Sequence, residues 1–368
     1  EPVVIPKASR LLFLNFIQLD MMVYNVGCIL NEMMKKTKRR VLIIRCGLLG
    51  DTIDSTAVVK PLVDHYGDEL EIDWVTKPNL EKLFQYDSRI NPLLIRFTKL
   101  PLIFNLDKLK IIIKSFMNPY DAIINLEVGT KFISLAKYTK SKVKVGLPNK
   151  YVAENIKNEH RVRHQLRILQ STFKDIKLEG TYPYLVGSAI DIKEVYDINQ
   201  KYIVMCPTNS KYHKSNHRGY RAWPLKNWQE LIDKVLLETD FDIVVTGNSS
   251  EEEFINQLNL NHSRVHNLCG KTPLPDLVEL MKKSSCAIAN DSGSVHVAGV
   301  SCQKVIALHG PTPFKETGPY GSGSNEIIEA NLNMKCSPCY NTDAIKKCPS
   351  NLCMINLSAD MVFNYVIK

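Results

Sequence analysis

From residue 41 the hydrophobic positions fall into short apolar runs separated by longer stretches with helical spacing, the alternation expected of βαβ units and a parallel sheet. Residues 41–44, 72–75, 93–97 and 122–126 predict strands, with helices between them, the first over residues 52–66. A second series opens at residues 202–206. It continues through a helix after Pro224, a strand at 241–246, a helix from Glu251, a strand at 286–289, a short helix at 294–300 and a strand at 304–308. A helix over 358–367 closes the chain. Residues 150–200, between the two series, are irregular. The pattern predicts two doubly wound, Rossmann-like α/β domains facing a cleft, at 41–190 and 191–368, with the closing helix able to pack back on the first. In such sheets ligands lie at the carboxyl ends of the strands.

Residues 1–40 differ from the rest. Residues 11–34 are mostly apolar, with Asn15, Gln18, Asn25 and Glu32 on one side of a helix, and Lys35, Lys36, Lys38, Arg39 and Arg40 follow. Two readings stay open. One is a peripheral membrane anchor, each basic residue adding about 1 kcal/mol near anionic lipid. The other is a helix packed on the protein's own surface or on another subunit. No run of 18 apolar residues free of strongly polar ones appears, so a conventional membrane span is not expected. Nor is a convincing signal peptide seen.

Composition narrows the class. Of 368 residues, 45% are apolar and 23% charged, which excludes a disordered, collagenous or coiled-coil chain. The balance of 47 − 38 = +9 favours an anionic partner. The charge is uneven: between Glu127 and Glu154 there are six lysines and no acid, and residues 198–229 are likewise basic and acid-free. One such stretch per domain fits two anionic ligands entering one cleft, although most of these lysines also suit a solvated face. The basic stretches lack the regular aromatic interleaving of a nucleic-acid surface, and no recognition motif is present, so no nucleic-acid partner is expected.

Four strand ends carry candidate chemistry. The first strand runs into Arg45-Cys46-Gly47-Leu48-Leu49-Gly50-Asp51, where Asp51 at a helix start suits either a cap for backbone N–H groups or a general base in the cleft. The glycine spacing is not that of a dinucleotide fingerprint. Pro207-Thr208-Asn209-Ser210 supplies hydroxyl and amide donors, and Arg221 before Trp223-Pro224 suits bidentate binding of a diphosphate. Glu251, after Gly247, suits ribose hydroxyls or a helix cap. In Asn290-Asp291-Ser292-Gly293-Ser294-Val295-His296, successive N–H groups at a helix start form an anion pocket. Asp291 there suits sugar hydroxyls, and His296 reaches the same ligand or serves the structure.

In this order and spacing the motifs resemble the ADP-heptose:lipopolysaccharide heptosyltransferases, nearest to the heptosyltransferase II-like members. Ala307-Leu308-His309-Gly310-Pro311-Thr312, Thr317-Gly318-Pro319-Tyr320-Gly321 and Cys336-Ser337-Pro338-Cys339 add to the match, which covers roughly residues 40–368. The resemblance implies a GT-B glycosyltransferase that moves heptose, with inversion, from ADP-L-glycero-D-manno-heptose to a phosphorylated glycolipid of the lipopolysaccharide inner core. It implies a cytoplasmic enzyme peripheral to the inner face of the membrane. Asp51 matches the catalytic base. Thr208, Asn209, Arg221, Glu251, Thr272, Asp291, Ser292, Gly293 and His296 match donor contacts, Arg221 standing where members often have Lys and Ser292 where some have Thr. Residues 1–40 are not part of the family pattern.

No cofactor is required for that chemistry. Cys336, Cys339, Cys348 and Cys353 have spacing compatible with a structural zinc or iron, with reduced thiols or with disulfides. Two alternatives are retained: a related glycosyltransferase using another nucleotide sugar or a protein acceptor, and a non-enzymatic, membrane-associated sugar-nucleotide-binding scaffold.

Overall fold

Five parallel strands form the first sheet: Arg40–Ile44 (β1), Glu71–Thr76 (β2), Ile90–Leu94 (β3), Tyr120–Asn125 (β4) and Ser141–Val145 (β5), in the order β3-β2-β1-β4-β5. Six more form the second: Tyr202–Cys206 (β6), Asp242–Val245 (β7), Val265–Asn267 (β8), Cys286–Asn290 (β9), Lys304–Leu308 (β10) and Glu326–Ala330 (β11), in the order β11-β10-β9-β6-β7-β8. The computed structural model describes residues 38–146, 159–208, 220–322, 325–340, 342–348 and 350–368. The apolar leader and Asn209 lie outside these residues.

The central strands are buried on both faces, which is why each reads as an unbroken apolar run. The strand expected at 93–97 instead lies at Ile90–Leu94 and contains Pro92, paired in register with Trp74. It is an edge strand, where a residue without an N–H can leave no ladder bond unmade. The helix expected over 52–66 is two helices, Leu49–Ser55 (α1) and Val59–Tyr66 (α2), joined by a 3₁₀ turn over Thr56–Val58. Pro61 has no N–H to give to the preceding turn, so the chain restarts with Pro61 in the first turn of α2.

Helices cover both sheets. Leu106–Met117 (α3) and Ile133–Tyr138 (α4) pack on one face of the first sheet through Ile111, Ile112, Leu135 and Ala136. On the other face lie α1, α2 and Arg161–Thr172 (α5), in a core that continues into the second half through Val278, Val295 and Val297. There Leu274–Lys283 (α7) and Gly293–Ser301 (α8) cover one face of the second sheet. Leu225–Glu238 (α6) and Ala359–Ile367 (α9) cover the other, around the T-shaped pair Trp223–Trp228 at 5.0 Å. The closing helix α9 therefore packs with the second half, against α6, β10 and β11, and not back on the first.

The segment between the halves is fastened at both ends. Tyr184 exchanges hydrogen bonds with Thr56: its N–H donates to Thr56 Oγ1 at 2.8 Å, and that hydroxyl donates to Tyr184 O at 2.9 Å. The Tyr184 hydroxyl donates to Asp87 Oδ2 at 2.5 Å. Four residues on, the Ser188 N–H donates to Pro275 O, at the start of α7 in the second half.

Candidate active site

In the first half, β1 delivers the Arg45–Leu48 loop to the N-terminus of α1. Arg45 is buried and donates to Leu126 O at 2.9 Å, the Cys46 N–H donates to Glu127 Oε1 at 2.5 Å, and Lys77 Nζ donates to Gly47 O at 3.0 Å. The loop is thereby held from β4 and β2. Asp51, in the first turn of α1, does two things. Its Oδ2 accepts the Leu48 N–H at 3.2 Å, and its Oδ1 pairs with Arg161 at 2.5 Å and Arg45 at 3.1 Å. Burial, the largest single influence, would raise its pKa, but Arg45, Arg161 and the Leu48 N–H together hold it below the usual aspartate value. Asp51 is an ionised carboxylate with 22% of its side chain exposed.

In the second half, β9 ends at Asn290, whose side chain accepts the Trp223 N–H at 3.1 Å and donates to Pro207 O at 2.5 Å. One buried amide thus ties the end of β6, the Arg221 turn and the start of α8 together. Arg221 pairs with Asp291 at 3.1 Å and lies over the Tyr340 ring at 5.2 Å. Burial works to raise the Asp291 pKa, yet His309, Arg221 and a hydrogen bond from Thr312 bring it below the ordinary value. Burial pulls the His309 pKa below its ordinary value; its Nδ1 shares a 3.1 Å hydrogen bond with Thr312, while its buried Nε2 has no hydrogen-bond partner among the described residues. Ser292 caps α8 in extended backbone, its hydroxyl 3.0 Å from that of Ser294.

The two halves meet at these helix starts. His296, on the first turn of α8, has Nδ1 3.1 Å from Asp54 Oδ1, one turn along α1 from Asp51. Burial disfavours the imidazolium most strongly, but Asp54, with Asp291 and Asp51 behind it, raises the His296 pKa overall. The contact is close enough to need glycine on both sides. A Cβ on Gly50 would lie 2.5 Å from His296 Cδ2, and one on Gly293 would lie 2.8 Å from Leu49 Cδ2. The first turn of α1, with its anionic carboxylate, and the amide-rich start of α8 therefore meet at the carboxyl ends of both sheets.

Comparison with known proteins agrees with this architecture. The family model for glycosyltransferase family 9 (heptosyltransferase) matches residues 112–348, well over half of the chain. The chain belongs to glycosyltransferase family 9. A lipooligosaccharide heptosyltransferase 2 of Campylobacter jejuni is 25% identical over 344 residues, covering 85% of this chain and 93% of the relative. Two solved structures share the fold. A family 9 glycosyl transferase from Veillonella parvula superposes with a TM-score of 0.71 at 17% identity, over 91% of this chain and 99% of that one. The Escherichia coli ADP-heptose lipopolysaccharide heptosyltransferase II gives 0.66 at 18%, over 89% and 98%. This family 9 chain is thus a glycosyltransferase with two Rossmann-like sheets in the GT-B arrangement.

Within this family 9 fold the sequence-predicted residues separate into two groups. Asp51, Asp291, Ser292, Gly293 and His296 stand at the facing starts of α1 and α8, and Arg221 pairs with Asp291 there. Thr208, buried, follows β6, two residues beyond Cys206. Glu251 accepts the Asn248 N–H at 2.9 Å and is buried, so its helix-capping role is realised. Thr272 donates to Leu268 O at 3.2 Å on the loop before α7. The sequence reading missed Arg45, Arg161 and Asp54 as site residues. Arg161 stands 110 positions from the carboxylate it pairs with, and no local motif marks it.

The four clustered cysteines are all free, Cys336 exposed and the other three partly buried. Burial, then the neighbouring Cys339, Cys336 and Cys348, pushes the Cys353 thiol up to about 11. They are neighbours, yet among the described residues no group of three or more His, Cys, Asp or Glu side chains is arranged to hold a metal ion. The residues as placed do not fit a zinc or iron centre. No helix among the described residues is long and apolar enough to cross a membrane.

Proposed function

We propose that this chain moves heptose from ADP-L-glycero-D-manno-heptose, with inversion, to a lipopolysaccharide inner-core acceptor, working at the cytoplasmic face of the inner membrane where a lipid-linked acceptor lies. The reading is supported by one observation above all: the His296–Asp54 contact, one turn along α1 from Asp51, brings the first-half helix that carries Asp51 against the start of α8. Inversion needs an acceptor hydroxyl to attack the anomeric carbon opposite the leaving ADP, with a base on the acceptor side. Asp51 is that base, and its proton arrives at Oδ1. To do so it must exchange a guanidinium for the hydroxyl, and Arg161, 43% exposed, is freer to leave than the buried Arg45.

As the sugar–phosphate bond breaks, charge grows on the diphosphate. Arg221 and the Ser292–Ser294 amides are the groups suited to hold it more tightly in the transition state. Arg221 would then trade Asp291 for phosphate, leaving Asp291 to the sugar hydroxyls. Thr208, Asn209, Glu251, Thr272 and His296 complete the donor side. The scheme draws on no metal, and a structural ion at the four thiols forms no part of it.

The test is ADP release from ADP-heptose in the presence of heptose-deficient lipopolysaccharide, with other nucleotide sugars and a protein acceptor as controls. Asp51→Asn is expected to lower kcat by about 10²–10⁴-fold with donor KM little changed. Unchanged turnover in that variant, or turnover only with a different nucleotide sugar, overturns the reading.

A further inference from the structure

The outer layer of the first half presents apolar side chains to solvent where a soluble helix ordinarily presents polar ones. In α3, Lys108, Ile111, Ile112 and Ser115 form the buried face. At 100° per residue the opposite side carries Leu106, Ile113 and Met117, flanked by Phe116 on one side and by Lys110 and Lys114 on the other. Leu106, Ile113, Phe116 and Met117 are between 62% and 79% exposed. The turn that leads into the helix repeats the pattern: Phe97, Leu100, Ile103 and Phe104 are exposed, with Arg96 and Lys99 among them. Eight large apolar side chains on one connected segment exceed the scattered exposure normal for a monomer.

The segment is also rigidly held. Buried Lys108 donates from Nζ to Thr98 O at 3.2 Å, Leu100 O at 3.4 Å and Lys131 O at 2.9 Å, and Asn105 donates to Phe97 O at 2.7 Å. These bonds fix the turn against the N-terminus of α3 and the loop after β4. Charge points to the partner. Between Asp87 and Asp121 the sole acid is Asp107, against the exposed Arg96, Lys99, Lys110 and Lys114. On the adjoining α4, Lys137 and Tyr138 are exposed, and the Lys140 N–H just beyond it is tied to Ser115 of α3. An apolar stripe bordered by lysines and almost free of acids is complementary to an anionic bilayer surface. A protein partner that matched it would need an acidic rim around an apolar centre.

We infer that α3 and the turn before it form the face by which this protein docks on an anionic lipid bilayer, Leu106, Ile113, Phe116 and Met117 entering the interface and Lys110 and Lys114 meeting the headgroups. The inference rests on the membrane-side part of the proposed function and names the surface that part requires. The placement suits it. The turn leaves the carboxyl end of β3, the same edge of the sheet from which the Asp51 loop leaves β1, so a docked face sets the acceptor side of the site beside the lipid.

The native tryptophans Trp74, Trp223 and Trp228 are fully buried, which supplies a clean optical test on the full chain. Ile113→Trp should show a blue-shifted emission, quenched by brominated acyl chains, on vesicles of phosphatidylethanolamine with about one-third phosphatidylglycerol. It should show neither on neutral phosphatidylcholine, and the unsubstituted protein should show neither on any vesicle. Co-sedimentation with the anionic vesicles should fall at least tenfold in partition coefficient for Phe116→Asp and for the fold-neutral pair Lys110→Glu with Lys114→Glu. Transfer to a lipid-free oligosaccharide acceptor should be unchanged in all three. Vesicle binding with no change in the emission of the Ile113→Trp protein means another segment makes the contact, and the inference fails. A blue shift that depends on protein concentration without vesicles means a second copy covers this face, and it fails equally. Docking as described without any heptose transfer would instead sink the proposed reaction and leave the docking face standing.

Discussion

Asp54 is a buried carboxylate with one oxygen on His296 and the other, Oδ2, without a hydrogen-bond partner among the described residues. The raised His296 pKa makes the pair a source of stability that depends on pH. The folded-state value lies above the unfolded one of about 6.5, so the contribution is present in full below that pH and is lost as pH rises through the folded value. Replacing Asp54 with Asn removes the attraction. The gap in Tm between the native chain and Asp54→Asn should therefore be wider at pH 6 than at pH 9, and a gap that does not move with pH would mean the imidazole does not titrate there. Residues of this kind were the least legible in the sequence. Asp51 was visible because a Gly-Asp pair follows an apolar run, and of its two open roles, cap and general base, the first is seen in the bond from the Leu48 N–H, while the same carboxylate pairs with Arg161. Asp54 and Arg161 carry no such signal, because what defines them is a partner brought from 242 and 110 positions away.

The legibility of the strands follows their position. All seven interior strands were marked by their apolar runs, whereas the four edge strands were either shifted, as β3 was, or unmarked, as β5, β8 and β11 were. An edge strand keeps one side in solvent, so its sequence need not be continuous in apolar residues. Ser-Lys-Val-Lys-Val in β5 and Val-His-Asn in β8 offer no continuous apolar run for that reason. Between helices, α1 and α8 approach closely at Gly50 and Gly293. Gly50→Ala would gain helix propensity of up to about 1 kcal/mol, but its new methyl falls 2.5 Å from His296, deeper than a side chain can tolerate without moving. The expected balance is a loss of about 1–3 kcal/mol in stability, with a larger fractional loss of transfer rate, because the helices that move apart carry the reacting groups. Unfolding by urea alongside the ADP-release assay measures both. An unchanged rate would show that the helix starts need not touch during catalysis.

For the molecule as a whole, the stretch between the two sheets is the part that sequence described least: residues 150–200 read as irregular, yet Arg161–Thr172 is helix α5 with Val162, Leu166 and Leu169 on its buried face, and only the linker over 173–191 has neither period. Its order comes from single side chains. Thr56 accepts the Tyr184 N–H and donates to Tyr184 O and Ile53 O, so Thr56→Val leaves a half-buried N–H without its partner, and a cost of about 1 kcal/mol is expected in equilibrium unfolding. A Thr56→Val protein as stable as the native chain would mean those backbone groups find other partners. The two fastenings also fix where the molecule can bend. Tyr184 moves with the first sheet and Ser188 with the second, which leaves Leu185, Val186 and Gly187 as the hinge. A swing of one half about these residues must break the His296–Asp54 contact together with the hydrogen bond between His160 Nε2 and Gly318 O. Any opening of the two halves that parts these contacts also exposes the buried His296 imidazole to water.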